Sequence, residues 1–320
     1  MPEQFDTLNT LKTRGHKSVT VQAPATSANL GPGFDTLGLA LQVYNRFKFS
    51  WAQHDALIAP PTHPELQTDA PAQLDLYRAM DLLWHHAHPN QPRPRVCVEL
   101  LQADIPLARG MGSSASAVVA GLVGLNALAQ LDAALPTLGQ LATQIEGHPD
   151  NVLPALYGGL QFCASGVSQA FQAIKLDWPS HWQPVLVIPA SKTATKEARS
   201  ALPKTIPIED AVFNLQRTGL WVLAIQQQNG DLLRWALHDK LHEPTRSQWI
   251  TGFTDYQQAA LSAGAYGLVI SGSGPTLLVI TPAAQSASVQ AQLSQCAQGL
   301  GQHTTQIIAP AVDTTGAQVL

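Results

Sequence analysis

The run from Pro106 to Leu131 limits what this chain can fold into more than any other segment. It opens Pro-Leu-Ala-Arg-Gly-Met-Gly-Ser-Ser-Ala-Ser and continues in Ala, Val, Gly and Leu, interrupted only by Asn126 and Gln130. A helix over Ser113–Leu131 would be apolar on nearly every side, and such a helix is stable only inside a core. The remaining elements must therefore wrap around it, and the turn Pro106–Gly112 delivers the chain to its N-terminus. That N-terminus carries about half a positive charge and unpaired N–H groups, and glycines let the backbone close on an anion. Gly110 and Gly112 in front of Ser113 and Ser114 thus suit a phosphate site, where a serine hydroxyl reaches a phosphate or Mg²⁺. The plainer reading is a tight turn followed by a Ser113-capped helix; Arg109 adds a cation to the phosphate site or, equally, is a solvated loop arginine.

Competing nucleotide folds fail on the residues. The chain has no Gly-Lys dipeptide for a P-loop, and it lacks the His-Arg-Asp and Asp-Phe-Gly sets of protein kinases. In a dinucleotide fingerprint the third glycine would be needed where Ala115 stands.

At 320 residues the chain exceeds the usual size of one core. Strands are expected at Ser18–Ala23, Leu37–Phe49, Arg95–Leu101, Leu156–Cys163 and Val185–Ile188, with Ala52–Ala72 a loop. The Leu268–Ile270 and Leu277–Ile280 strands flank a glycine turn. Helical spacing is read at Leu74–Ala87, Leu138–Glu146, Ala211–Gln228, Leu232–Leu241 and Tyr256–Ala263. The class is α+β in two domains, residues 1–168 and 169–320.

The net charge is −4 and only 12% of residues are charged, without a basic run, which disfavours nucleic-acid or anionic-membrane partners and favours a small-molecule pocket. The three cysteines, Cys97, Cys163 and Cys296, lack metal or disulfide spacing. No leader-like or membrane-spanning stretch stands out, so a cytoplasmic protein is expected.

Three further motifs carry candidate chemistry. In Pro24-Ala-Thr-Ser-Ala-Asn-Leu-Gly-Pro-Gly-Phe-Asp-Thr-Leu-Gly38, Asn29 and Asp35 are turn formers or, together, acceptors for an ammonium group. Glu146-Gly-His-Pro-Asp-Asn151 packs two carboxylates, an imidazole and an amide into six residues, and Glu146 suits Mg²⁺ beside a phosphate site. Ser271-Gly-Ser-Gly-Pro-Thr276 is a tight turn that could also lean on the phosphate loop. Thr195-Lys-Glu-Ala-Arg199 and His242-Glu-Pro-Thr-Arg246 each end a polar run in an arginine.

Taken in order, PATSANLGPGFDTLG, PLARGMGSSASA, EGHPDN and SGSGPT resemble the GHMP kinase family, and TKEAR and HEPTR narrow the resemblance to its homoserine-phosphorylating members. The resemblance implies a ribosomal-S5-domain-2-like N-terminal domain, a ferredoxin-like C-terminal domain and an active site between them. It implies ATP as co-substrate, bound at Pro106, Leu107, Ala108, Arg109, Gly110, Met111, Gly112, Ser113, Ser114, Ala115 and Ser116. It further implies Mg²⁺ on Ser114 and Glu146, with Ser113 a close rival for the serine ligand.

Carried onto matching positions, Asn29 and Asp35 take the amino group of L-homoserine, Asn151 holds its hydroxyl, and Arg199 with Arg246 clamps its carboxylate. Thr195 lies near the transferred phosphate. Asp35 as general base and catalysis by positioning alone both stay open. The product would be O-phospho-L-homoserine, in threonine biosynthesis, and a homodimer is compatible with the resemblance.

Overall fold

The computed structural model describes residues 16–61, 63, 70–166, 171–192 and 195–320. Two antiparallel-dominated sheets organise them. The first begins with β1 (Ser18–Ala28) and β2 (Leu37–Trp51), paired antiparallel with an irregularity at Pro24/Ala25. β3 (Ala56–Ile58) lies within the expected 52–72 loop and runs parallel to β4 (Val96–Ala103). Between them in sequence is helix α1 (Asp75–Ala87).

The central helix α2 spans Ser113–Ala129 and buries residues on all sides, from Ala115 and Ser116 to Leu128 and Ala129. Helices α3 (Leu135–Glu146) and α4 (Pro149–Tyr157) follow, separated only by Gly147 and His148. Val21, Phe49, Leu83, Trp84, Val98, Val119 and Leu125 share the core formed by this helical layer and the first sheet. Removing apolar area of this kind from water contributes about 25 cal/mol per Å².

The strand expected at Leu156–Cys163 is displaced: Leu156 and Tyr157 finish α4, and β5 is Leu160–Ser165. Pro149 sits in the first turn of α4, where its missing N–H costs nothing, so the sequence His148-Pro149 starts a helix rather than a turn. β6 (Phe171–Leu176) pairs with β5, and β5 pairs with Leu37–Leu39 of β2. The domain division expected at 168/169 lies outside the described residues. The strands on either side of it belong to one sheet.

The second sheet has the order β10 (Gln306–Ile308), β7 (Trp182–Ile188), β9 (Leu277–Pro282), β8 (Gly267–Ile270). Helices α5 (Thr195–Ser200), α6 (Ile208–Gln226), α7 (Gly230–Ala236), α8 (Glu243–Arg246) and α9 (Phe253–Ser262) precede β8 (Gly267–Ile270) and β9 (Leu277–Pro282). α10 (Ser286–Gly299), β10 (Gln306–Ile308) and β11 (Gln318–Val319) complete the chain, and β11 returns to β1 of the first sheet.

The helix expected over Leu232–Leu241 stops at Ala236 because a second start follows at once. The Asp239 carboxylate accepts the N–H groups of Leu241, His242 and Glu243 and so nucleates α8.

Strand β7 alternates: Val185 and Val187 face Tyr256, Val289 and Leu293, whereas Leu186 and Ile188 join a second cluster. That cluster also takes Ala25, Leu37, Leu39 and Leu160 from the first sheet and Leu30 from the turn between β1 and β2. The two sheets are thereby fixed to each other through buried apolar contact, with the glycine-rich segments at their junction. Among the described residues no helix is long and apolar enough to cross a membrane.

Candidate active site

The loop before α2 is held from both sides. Thr26 N–H of β1 donates to the Met111 carbonyl at 3.1 Å, while Ser271 Oγ donates to the Gly110 carbonyl at 2.6 Å and Thr276 N–H to the Arg109 carbonyl at 3.2 Å. The Ser271–Thr276 turn, which the sequence left between a structural role and a contact with this loop, makes that contact. Gly110 and Gly112 have φ of +76° and +68°. A Cβ on Gly110 would lie 2.2 Å from the Ser271 carbonyl oxygen, and one on Gly112 2.0 Å from Thr26 Oγ1. Left-handed geometry and crowded neighbours therefore both require glycine. Gly112, not Ser113, occupies the cap position of α2, and among the described residues no side chain caps the helix. Its first-turn N–H groups are left for an anion.

A cavity of about 400 Å³ opens in front of this helix end. Ser114 Oγ lies 3.1 Å from Glu146 Oε2 on its wall. Burial pushes the Glu146 carboxyl above its usual range, against the opposing influence of His148 and the Ser114 hydrogen bond. Asn151 Oδ1 accepts from Thr26 Oγ1 at 2.8 Å, which fixes the orientation of the amide and with it that of its N–H₂ donor. His148 Nδ1 is 2.7 Å from Asp150 Oδ1, and Asp150 is buried. Burial disfavours the imidazolium, but the bond and charge of Asp150 win and hold His148 above its ordinary value. Asp35 joins these two, the three offering ligand atoms within 4.8 Å of one another.

The other end of the cavity is cationic. Arg246 is 4% exposed; its Nη1 donates to the Gly272 carbonyl at 3.0 Å and lies 3.4 Å from His242 Nδ1. Burial and the Arg199 charge both pull its pKa below the ordinary arginine value. Arg199 pairs with Asp35 at 2.5 Å. Asn29 is fixed by its Nδ2 bond to the same Gly272 carbonyl and by the Asp35 N–H donating to its Oδ1, at 2.9 and 3.2 Å.

Asn29, Asp35, Arg109, Gly110, Gly112, Ser113, Ser114, Glu146, Asn151, Arg199 and Arg246 all line this one cavity, together with Leu107 and Ala108. Pro106 lines a neighbouring cavity instead, and Met111, Ala115 and Ser116 are buried beneath the loop. Thr195 opens α5, and its side chain lies outside the described residues. Residues not singled out from the sequence also contribute. Thr26 supports Asn151, Asp75 lines the wall at the start of α1, and the Phe34 ring lies against both arginines. Thr26 and Phe34 fall inside a motif that had been read only for its Asn and Asp; Asp75 carried no signal.

Residues 76–159 match the GHMP kinases N terminal domain, and residues 222–298 match the GHMP kinases C terminal. A homoserine kinase of Nostoc sp. is 42% identical over 301 residues, covering 94% of this chain and 98% of the relative. One of Crocosphaera subtropica is 40% identical over 305 residues, with 94% and 97% coverage. The crystal structure of homoserine kinase from Cytophaga hutchinsonii superposes with a TM-score of 0.84 at 27% identity, covering 95% of this chain and 98% of that one. Mevalonate diphosphate decarboxylase from Staphylococcus aureus shares the fold, with a TM-score of 0.72 at 14% identity over 95% and 98% of the two chains. With both domains matched and relatives of this identity aligned along nearly its whole length, the chain belongs to the GHMP kinase family, among its homoserine kinases.

Proposed function

We propose that the protein transfers the γ-phosphoryl group of ATP to the side-chain hydroxyl of L-homoserine, giving O-phospho-L-homoserine for threonine biosynthesis in the cytoplasm. The observation that carries this reading is the polarity of the cavity: an uncapped helix N-terminus with its glycine loop at one end, and the Arg199–Arg246 pair beside Asp35 and Asn29 at the other. A zwitterionic hydroxy amino acid complements the second end. Its ammonium meets Asp35 and the Asn29 amide oxygen, and its carboxylate meets the two guanidinium groups. The Asp35–Arg199 ion pair is the contact that this zwitterion would open, each partner exchanging the other for a substrate charge.

ATP phosphates are held by the backbone of Gly110–Ser116 and the start of α2. Ser114 and Glu146 fit a Mg²⁺ ion, since a hydroxyl and a carboxylate 3.1 Å apart face the phosphate end of the cavity. A cation there would also relieve the burial cost on Glu146. Bound there, Mg²⁺ supplies charge neutralisation to the transferring phosphoryl group.

Asn151 meets the substrate hydroxyl oxygen through its N–H₂, in an orientation fixed by the Thr26 bond to its amide oxygen. An amide so engaged orients the nucleophile without accepting its proton. Asp35 is committed to Arg199 or to the ammonium, so catalysis proceeds by positioning and electrostatics, with the proton passing to phosphate or solvent. Thr195 stands on α5 with Arg199 and is assigned to the neighbourhood of the transferred phosphate. Because β5 and β6 pair within the first sheet, we place the boundary between the ATP-binding and C-terminal parts after Leu176, before the second sheet begins at Trp182, rather than at 168/169.

A coupled ADP-release assay with homoserine, threonine, serine and mevalonate tests the reading. Homoserine should be the best acceptor, with turnover requiring ATP, Mg²⁺ and acceptor together. Nucleotide binding without turnover on any acceptor would refute it.

A further inference from the structure

Phe34 makes three contacts that the amino-acid clamp does not by itself explain. The guanidinium carbons of Arg199 and Arg246 lie 5.3 and 5.5 Å from its ring centroid, and the His242 ring stacks on it at 5.4 Å with 29° between planes. Phe34 belongs to the turn between β1 and β2, whereas its three partners come from α5, α8 and the residue that starts α8. The ring is thus inserted from the first sheet's side into the cationic end of the cavity. Two like charges converging on one small site repel, and an aromatic face is a neutral surface that attracts both.

His242 completes the arrangement from behind. Its Nε2 lies 2.9 Å from the Gly31 carbonyl, an acceptor only, so Nε2 carries the proton and Nδ1 is left as an acceptor facing Arg246. The Gly31 carbonyl belongs to the same turn as Phe34. One turn therefore locks the tautomer of His242 and reaches both guanidinium groups through the Phe34 ring, in addition to the Asp35 contact of Arg199 and the Gly272 contact of Arg246. Among the described residues Arg246 Nε is buried without a hydrogen-bond partner, a donor that a carboxylate in the cavity could use.

Building on the homoserine reading, we propose that Phe34, backed by His242, is the positioning platform that holds Arg199 and Arg246 at the separation needed to grip one α-carboxylate. It thereby sets the preference for amino-acid acceptors over alcohols that lack the carboxylate. Phe34 acts through the arginines and takes no part in the chemical step.

The test compares wild type with Phe34→Leu and Phe34→Tyr on homoserine and on homoserinol, the amino alcohol in which the carboxylate is replaced by a hydroxymethyl group. Phe34→Leu should raise the homoserine KM about tenfold, which is about 1.4 kcal/mol. It should leave kcat, the ATP dissociation constant and the homoserinol KM within about twofold. Phe34→Tyr, which keeps the π-face, should return the homoserine KM to within about threefold of wild type. Phe34→Met, apolar and of similar volume, repeats the comparison should Phe34→Leu lose the fold. Equal losses on both acceptors, or an unchanged homoserine KM, would overturn the platform while the kinase reading stands. A wild type that does not turn over homoserine would overturn both.

Discussion

Replacing Arg246 by Leu should separate a carboxylate clamp from a structural arginine. Arg246 is 4% exposed, so a substrate carboxylate meeting it does so largely out of water. Removing one partner of such a pair costs about 2–5 kcal/mol, or roughly 30- to several-thousand-fold at 1.4 kcal/mol per decade. The structure also says what the substitution does to the protein alone. The Gly272 carbonyl keeps a donor, because Asn29 Nδ2 bonds it at 2.9 Å, but His242 Nδ1 loses its neighbour at 3.4 Å. An unsatisfied buried acceptor costs about 1–3 kcal/mol, which should appear in urea unfolding as a lower midpoint with an unchanged slope. The homoserine KM of Arg246→Leu should therefore rise by at least about 30-fold, with ATP affinity measured without acceptor nearly unchanged. Arg246→Lys should recover only part of the loss, since an ammonium lacks the planar fork. Steady-state kinetics on homoserine and homoserinol decide it: a KM change below about threefold, or equal changes on the two acceptors, would return Arg246 to a structural role.

Arg199→Leu should act in the same direction but less strongly, because its side chain is 43% exposed and already paired with Asp35; the same kinetics check it. Glu146→Gln and Ser114→Ala should each raise the Mg²⁺ concentration needed for half-maximal turnover, and an unchanged requirement in both folded variants would place the metal elsewhere. Gly110→Ala should abolish ATP binding or folding, since its Cβ would stand 2.2 Å from the Ser271 carbonyl oxygen; normal ATP affinity by calorimetry would contradict the loop geometry. Glu243 is buried, and desolvation raises its carboxyl to about 8 while the Ile270 N–H bond opposes the rise. Its folded value lies above the unfolded one, so it contributes stability at low pH that is lost as pH rises from about 4.5 towards about 8. Glu243→Gln, which can still accept from Ile270, should flatten a slope of up to about 1.4 kcal/mol per pH unit in that window, read from urea midpoints across pH.

The parts of the fold legible in the sequence are those with one dominant cause. Helix α2 is apolar all round, so its burial follows from its residues, and the glycines before it announce a backbone that must approach something closely. The cavity's anionic and amide residues were legible as clustered, unusual composition in EGHPDN and in the turn after β1. Other features depend on partners far along the chain. Phe34 is an ordinary apolar residue until Arg199 and Arg246 are brought over its ring, and Thr26 is a strand residue until Asn151 leans on it. Asp75 gains its place only because α1 is packed beside α2. Helix α4 was hidden because Pro149, which serves its first turn, stands directly behind the Gly147 that ends α3, leaving little apolar periodicity to mark a new start. The sharing of strands was hidden too: nothing local in Gln318–Val319 says that it returns to β1.

Phosphoryl transfer to homoserine itself is tested most directly by identifying the product. The protein, ATP, Mg²⁺ and L-homoserine are incubated together, and the mixture is analysed by ³¹P NMR and mass spectrometry. A phosphomonoester on the side-chain oxygen of homoserine should form in step with ADP and be absent when any one component is omitted. ADP release with free inorganic phosphate and unmodified homoserine, or phosphorylation of a carboxylate-free acceptor in preference to homoserine, would contradict phosphoryl transfer to this amino acid.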